Sequence, residues 1–430
     1  MSIRQRVSKS ISDAPLVRRH RPDHRIVLYM GLLMLLGLII MYAIGPQRAN
    51  VLNNAYGTDY YSSTYFFMKQ TISLFLALVA FVVIASLPYK IFLKHAGAIV
   101  VSGFIASALL VIFGNILHVD AIAQCSLGAC RWFSLGPLGS LQPAEFMKFG
   151  VLIFVAGFLG ARVKQGLVND WQQTLAPLGI LVFAALIVIV GIQKDMGTGI
   201  TLVIMVSVML YIAGLKYRIG FAILGLMLIA GAFFILTAPH RIDRVATFLN
   251  GDNTSVDDAG DYHIAHAKMA IGSGGLMGVG IGNSVEATGY LPEAINDSVF
   301  AIMGETFGFV GLVAILSLFA ALLMRLLRVA DNLSDMRERI LVGGVFGWLG
   351  AHVVLNVGAM TGVIPLTGIT LPLLSFGGTS MVFIAAALGL AFQLSRYTVL
   401  GSKLRGNEYE DSQRRRGLGR SRYTGRRRPA

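Results

Sequence analysis

The chain has 430 residues, of which 55% are hydrophobic and only 13% charged, with a formal net charge of +14. Its mean hydropathy of +0.69 excludes an ordinary water-soluble domain, whose charged fraction is roughly one quarter. The basic excess lies in two terminal arms, so it reads as attraction to anionic membrane lipids; no nucleic acid is expected as a partner.

In chain order, residues 1–25 form a basic arm with Arg4, Arg6, Lys9, Arg18, Arg19, Arg21 and Arg25, expected to be disordered and cytoplasmic. Apolar blocks follow at 26–45, 66–87 and 96–117. Each matches the roughly 20 residues that a helix needs to cross a hydrocarbon core of about 30 Å. The first is too long, and starts too late after the arm, to be a cleavable signal peptide. Cys125 and Cys130, the only two cysteines, lie between the third and fourth blocks. Their spacing permits a disulfide and leaves a reduced pair open; with no His nearby in sequence they do not read as a zinc site, and no structural metal is expected.

Four further blocks cover 143–161, 174–192, 196–215 and 217–237, separated late in the run only by Gln193-Lys194-Asp195 and Lys216-Tyr217-Arg218. An acidic loop of about 238–297 comes next, then blocks at 298–324, 339–361 and 373–395, and a basic tail over 398–430 that is expected to be disordered. Short loops rich in Lys and Arg stay in the cytoplasm. That rule puts both termini inside and the acidic loop outside. The expected fold is an all-α polytopic membrane protein, a single domain over 26–397 with about ten transmembrane helices. Its one large extracytoplasmic loop lies between helices seven and eight.

Ionisable groups at the ends of such spans are costly and mark sites of chemistry, pairing or water access. Glu145 and Lys148 are three apart, on one helical face, and are spaced to pair with each other. Asp195 and Asp297 each precede an apolar block and, taken singly, read as helix caps. Ser375, Gly377 and Gly378 open the last block with small residues that let a backbone or a ligand come close. All of these fall on the outer side. Four elements distant in sequence thus bring Glu145, Lys148, Asp195, Asp297 and a glycine pair to one depth, which suits a cavity open to the outside. His263 and His266, with Asp261 nearby, read as solvated or hydrogen-bonded loop histidines. The glycines from Gly272 to Gly282 follow no strand, so a nucleotide fingerprint is rejected in favour of a loop shaped against the bilayer.

Several motifs occur in a distinctive order. Arg131-Trp132 and Gly136-Pro137-Leu138 precede Gln142-Pro143-x-Glu145-x-x-Lys148 and Gln193-x-Asp195-x-Gly197-Thr198. Tyr262-His263-Ile264-Ala265-His266, Gly278-x-Gly280-x-Gly282-Asn283-Ser284 and Leu291-Pro292-Glu293-Ala294 lead to Asp297, and Pro365-x-x-Gly368-Ile369-Thr370-Leu371-Pro372 leads to Ser375-Phe376-Gly377-Gly378. On these residues the chain resembles the SEDS family, the FtsW/RodA-type peptidoglycan glycosyltransferases, from about residue 22 to 397. It departs from the family at Lys194, where Pro is usual, and at Asn296, His266 and Phe376, where Thr, Gln and Tyr are common. Thr370-Leu371-Pro372 leans toward the division type.

The resemblance implies polymerisation of lipid II into glycan strands at the outer face of the cytoplasmic membrane of a bacterium, with undecaprenyl diphosphate released. Asp297 is the candidate general base on the acceptor hydroxyl. The leaving diphosphate needs charge stabilisation, expected from Lys148 and Arg131 with Glu145 orienting Lys148. Asp195 is expected to hold a metal or fix the outer gate, and Ser375, Gly377 and Gly378 to lie against substrate. A divalent cation, Mg or Mn, suits a diphosphate but is not required by the sequence. The implied partners are a class B penicillin-binding protein transpeptidase and other division or elongation proteins. A lipid II transporter and a non-catalytic division scaffold are the alternatives.

Overall fold

The computed structural model describes residues 21–119, 121–126, 129–136, 139–223, 225 and 259–398. The basic arm before residue 21, the tail after 398 and most of the expected seventh span lie outside the described residues; 217–223 are helical. Among the described residues eight helices are long and apolar enough to cross a membrane, and Met196–Ile212 is a shorter apolar helix.

The chain starts with α1 (His24–Tyr56), capped by the Asp23 carboxylate on Arg25 N–H. At 33 residues it is about 50 Å long, so it outruns the block at 26–45 and carries Pro46 within it. Next come α2 (Tyr65–Ser86), the short α3 (Tyr89–Lys94) and α4 (Ala96–Ile116). A small antiparallel sheet, β1 (Ala123–Ser126), β2 (Ala129–Ser134) and β3 (Ser140–Leu141) in the order β1-β2-β3, crosses the gap to α5 (Pro143–Gln165). Cys125 and Cys130 face each other across β1 and β2 and form the disulfide that the sequence left open.

After α5 come α6 (Trp171–Ile192), which begins and ends in π-helical turns, and α7 (Met196–Ile212). The acidic loop is not featureless: its later part forms α8 (Ala259–Ser273). The last three helices are α9 (Val299–Asp331), α10 (Met336–Met360) and α11 (Gly378–Leu394). In α10 and α11, 78% of the span is buried, against 17% in α2, so these two and α5 form the centre while α2 turns most of its surface outward to lipid. Glycines let the helices touch: a Cβ on Gly103 of α4 would lie 3.0 Å from Met147 Cα of α5.

The chain ends meet at one end of the bundle. Asp23 N–H donates to Ser395 Oγ at 2.8 Å and the Asp23 carboxylate pairs with Arg325. This is the end that the charge pattern puts in the cytoplasm.

The run from Ala259 to Asp297 packs at the opposite end. Helix α9 is broken at Gly308, whose φ of 67° lies in the left-handed region. Here a Cβ would come 2.4 Å from Gly278 N, so only glycine fits. The break frees backbone groups, and the glycine-dense segment supplies their partners. Val279 N–H donates to Glu305 O and Gly280 N–H to Thr306 O, while Phe309 N–H and Val310 N–H donate to Gly275 O and Leu276 O. Leu276, Met277 and Ile281 leave their side chains exposed, as an apolar rim against lipid requires. The buried Glu305 carboxylate accepts from Ser284 Oγ (2.5 Å) and Val285 N–H (2.9 Å), fastening the return of this segment.

Candidate active site

Asp297 is half-buried in the turn that leads into α9. Three hydrogen bonds hold that turn. Asn356 of α10 donates to Asp297 O at 2.7 Å, Phe376 N–H donates to Ile295 O at 2.8 Å, and Ser298 Oγ donates to Pro292 O at 2.8 Å. Because the Ser298 hydroxyl proton is committed to Pro292, the 2.6 Å contact with His263 Nε2 is a bond in which His263 of α8 donates. His263 is thus a buried helix residue, not the exposed loop histidine expected, and His266 Nδ1 lies 2.7 Å from Glu286. The Asp297 carboxylate faces Gly368: a Cβ there would stand 3.9 Å from Asp297 Oδ2.

The segment around Gly368 also closes on α7. A Cβ on Gly197 would come within 2.6 Å of Ile369 Cγ1 and 2.8 Å of Thr367 O, so this close approach needs glycine. Asp195 caps α7, accepting from Thr198 N–H at 2.9 Å and Thr198 Oγ1 at 2.8 Å, while Gln142 Nε2 donates to it from the start of α5 at 2.8 Å. The cap reading of Asp195 is therefore what the geometry displays, with both carboxylate oxygens occupied. Arg131 clasps the backbone just before it, donating to Gln193 O and Lys194 O at 3.0 Å each. Lys194, Glu293 and Leu373, three of the four non-glycine residues of positive φ among the described residues, all sit in segments around this site. Strain of that kind persists only where surrounding contacts over-determine the backbone.

Below this mouth Glu145 and Lys148 form an ion pair of 2.8 Å, and Lys148 has no exposed surface. Its Nζ also meets Thr201 Oγ1 and His352 Nε2, each at 3.2 Å, and lies 4.8 Å from the centre of the Trp348 ring. The approach to the last helix is fixed by contacts within the protein. Ser375 Oγ accepts from Leu371 N–H at 2.8 Å, and Gly377 caps α11 with extended backbone. Gly378 packs toward Ser73, and Thr379 Oγ1 takes the Gln142 N–H at 3.2 Å.

Several buried polar atoms on these same elements have no partner among the described residues: Glu145 Oε2, the Gln193 side-chain amide, Asn356 Oδ1 and Thr367 Oγ1. Such a concentration marks a polar interior built for water or a polar ligand. No three His, Cys, Asp or Glu side chains among the described residues come together as metal ligands. The sequence had not singled out Glu305, Thr201, Asn356 or His352. Of these, Glu305, His352 and Asn356 carried a readable signal, each a polar side chain within an apolar block.

A multi-helix bundle with a carboxylate at one mouth, strained loops around it and an enclosed ion pair beneath defines a polytopic membrane protein with a polar site at one end. The match of the FtsW/RodA/SpoVE cell cycle protein family to residues 23–399 places the chain in that family. It is 32% identical over 384 residues to stage V sporulation protein E of Bacillus subtilis, covering 89% of this chain and 99% of that protein. It is 30% identical over 339 residues to a probable peptidoglycan glycosyltransferase FtsW of Coxiella burnetii, covering 78% and 87% respectively. Among solved structures it is similar to a chain from work on structural coordination of polymerization and crosslinking by a peptidoglycan synthase complex, with a TM-score of 0.66 and 26% identity over 87% of this chain and 98% of that one. The rod shape determining protein RodA of Thermus thermophilus is similar with a TM-score of 0.60 and 25% identity, covering 87% and 97%.

Proposed function

We propose that this protein is a peptidoglycan glycosyltransferase that polymerises lipid II at the outer face of the cytoplasmic membrane, in wall synthesis during cell division. The observation that carries the reading is the Asp297 carboxylate, held by α8, α10 and the segment before α11 so that it faces Gly368 at the mouth of a polar interior. The names of the relatives from Coxiella burnetii and elsewhere point the same way. A class B penicillin-binding protein is the proposed partner, by analogy with the synthase complex.

The chemistry follows from the carboxylate. Asp297 takes the proton from the acceptor sugar hydroxyl as its oxygen attacks the anomeric carbon of the donor. The new carbon–oxygen bond forms on the face opposite the one that breaks, as in inverting hydrolysis, and undecaprenyl diphosphate departs with the bonding electron pair. A diphosphate leaves as an anion, so it needs positive charge more than a proton. Arg131 and Lys194, beside each other at the mouth, supply that charge in this reading. Lys148 is fully enclosed, and its charge reaches the site only as a field or through the side chains that it orders. No step is assigned to a divalent cation.

The test is polymerisation of purified lipid II by the purified protein, with Asp297→Asn beside it. Glycan from the wild type, and about a hundredfold to ten-thousandfold less from the variant, is the expected outcome for loss of a general base. Equal product from both rejects Asp297 as that base. Headgroup crossing in vesicles without polymer favours a transporter instead.

A further inference from the structure

The enclosed ion pair is tied to the Asp297 turn by an imidazole. Lys148 has three N–H donors, and three acceptors surround it: Glu145 Oε1 at 2.8 Å, Thr201 Oγ1 at 3.2 Å and His352 Nε2 at 3.2 Å. The Thr201 hydroxyl sends its own proton to Thr198 O at 2.8 Å, leaving a lone pair for Lys148. No N–H remains for a ligand. Lys148 therefore holds neighbours in place and does not touch substrate.

His352 is the neighbour whose two nitrogens face different elements. Trp348 Nε1, which can only donate, points at His352 Nε2 from 3.2 Å, the same atom that meets the Lys148 ammonium. With two donors aimed at it, Nε2 carries no proton. The ring proton is on Nδ1, 3.3 Å from Thr370 O. One turn later on the same face of α10, Asn356 donates to Ile369 O and to Asp297 O, each at 2.7 Å. Consecutive carbonyls at 369 and 370 are thereby bound to consecutive turns of one helix, and the second of those turns also holds the backbone of Asp297.

We propose that His352 is a positioning residue for the polymerisation proposed above, on which this inference rests. Its Nε2 is fixed by the buried Lys148 and its Nδ1–H fixes Thr370, keeping the 368–370 segment against the Asp297 carboxylate. The sequence offers a lone His in an apolar helix, which as core filling would need only volume. The geometry asks for an acceptor and a donor on opposite edges of one side chain.

That difference sets the experiment. Gln carries both an acceptor and a donor, whereas Phe fills the space with neither. Purified wild type, His352→Gln and His352→Phe are compared for lipid II polymerisation, with kcat and KM separated and the pH–rate profile recorded. Expected is a kcat loss of about tenfold to a hundredfold in the Phe variant at unchanged KM, the scale of a misplacement near 1 Å. The Gln variant is expected to recover to within about fivefold, with the wild-type pH profile, since His352 moves no proton in the reaction. His352→Leu, which avoids overpacking, serves in the same comparison if the Phe chain does not fold. A fully active Phe or Leu variant overturns the inference, as does a Gln variant no better than either. A shifted pH profile in the Gln variant overturns the positioning role in favour of proton transfer. Wild type that makes no polymer from lipid II proven active with another polymerase sinks the functional reading, and the inference with it.

Discussion

Asn356→Asp tests the hold on the candidate base with a change of almost no volume. The amide of Asn356 spends both its N–H groups, one on Asp297 O and one on Ile369 O, each at 2.7 Å. An ionised Asp at that position donates to neither and sets a negative charge against two carbonyl oxygens; a protonated one serves a single acceptor. Two lost hydrogen bonds of about 0.5–1.5 kcal/mol each give about 1–3 kcal/mol in all. At 1.36 kcal/mol per factor of ten, the expected rate loss is between about fivefold and about 160-fold. With Asp297 as the proposed base, the loss belongs in kcat, because the bond orients the group assigned to the chemical step. Initial rates of lipid II polymerisation over a range of lipid II concentrations separate the two constants. A variant that polymerises at the wild-type kcat, or whose whole defect is in KM, refutes the reasoning.

Other outcomes follow from particular contacts. Gly197→Ala would drive a methyl to within 2.6 Å of Ile369 Cγ1, so it should cost about 1–3 kcal/mol of stability, read as a lower thermal midpoint in detergent. Glu305→Leu strands the Ser284 hydroxyl and the Val285 N–H, about 1–3 kcal/mol for each unpaired group, and should speed proteolysis across residues 284–291. The Tyr89 hydroxyl, buried and then faced by the Glu338 carboxylate, ionises well above its ordinary value of 10.0. The folded chain holds that proton more tightly than the unfolded one. Its contribution is therefore whole below pH 10 and is lost as pH rises through the folded value, so alkaline unfolding curves of wild type and Tyr89→Phe should converge above pH 10.

Much of the bundle could be read because its signal is long and repeated: apolar blocks match the helices wherever residues are described. Hydropathy measures the crossing and not the helix, which is why α1 runs on through Pro46 to Tyr56 and α9 to Asp331. At the site, local pairings were legible. The spacing of Glu145 and Lys148 announces one helical face, and Asp195 before Met196-Gly197-Thr198 announces a cap. Contacts made across the fold were not. Arg131 is set in place by two carbonyls 62 and 63 residues away, a placement that no local pattern announces. Phe376 N–H likewise donates to Ile295 O, a pairing of two distant segments. Gly272 to Gly282 reads as a plain loop because nothing in 298–324 marks Gly308 as a break; no proline is present, and the strain shows only as a backbone angle.

That break constrains the order of assembly. Kept broken at Gly308 but without residues 275–280, α9 would leave Glu305 O, Thr306 O, Phe309 N–H and Val310 N–H unpaired in hydrocarbon, at several kcal/mol apiece, whereas a straight helix pairs Phe309 N–H with Glu305 O and Val310 N–H with Thr306 O. The groups that complete it lie at 275–280, earlier in the chain and so synthesised first. Vectorial translation thus delivers the template before the helix that breaks upon it, and a circular permutant that reversed the two would insert a straight span first and have to break it afterwards.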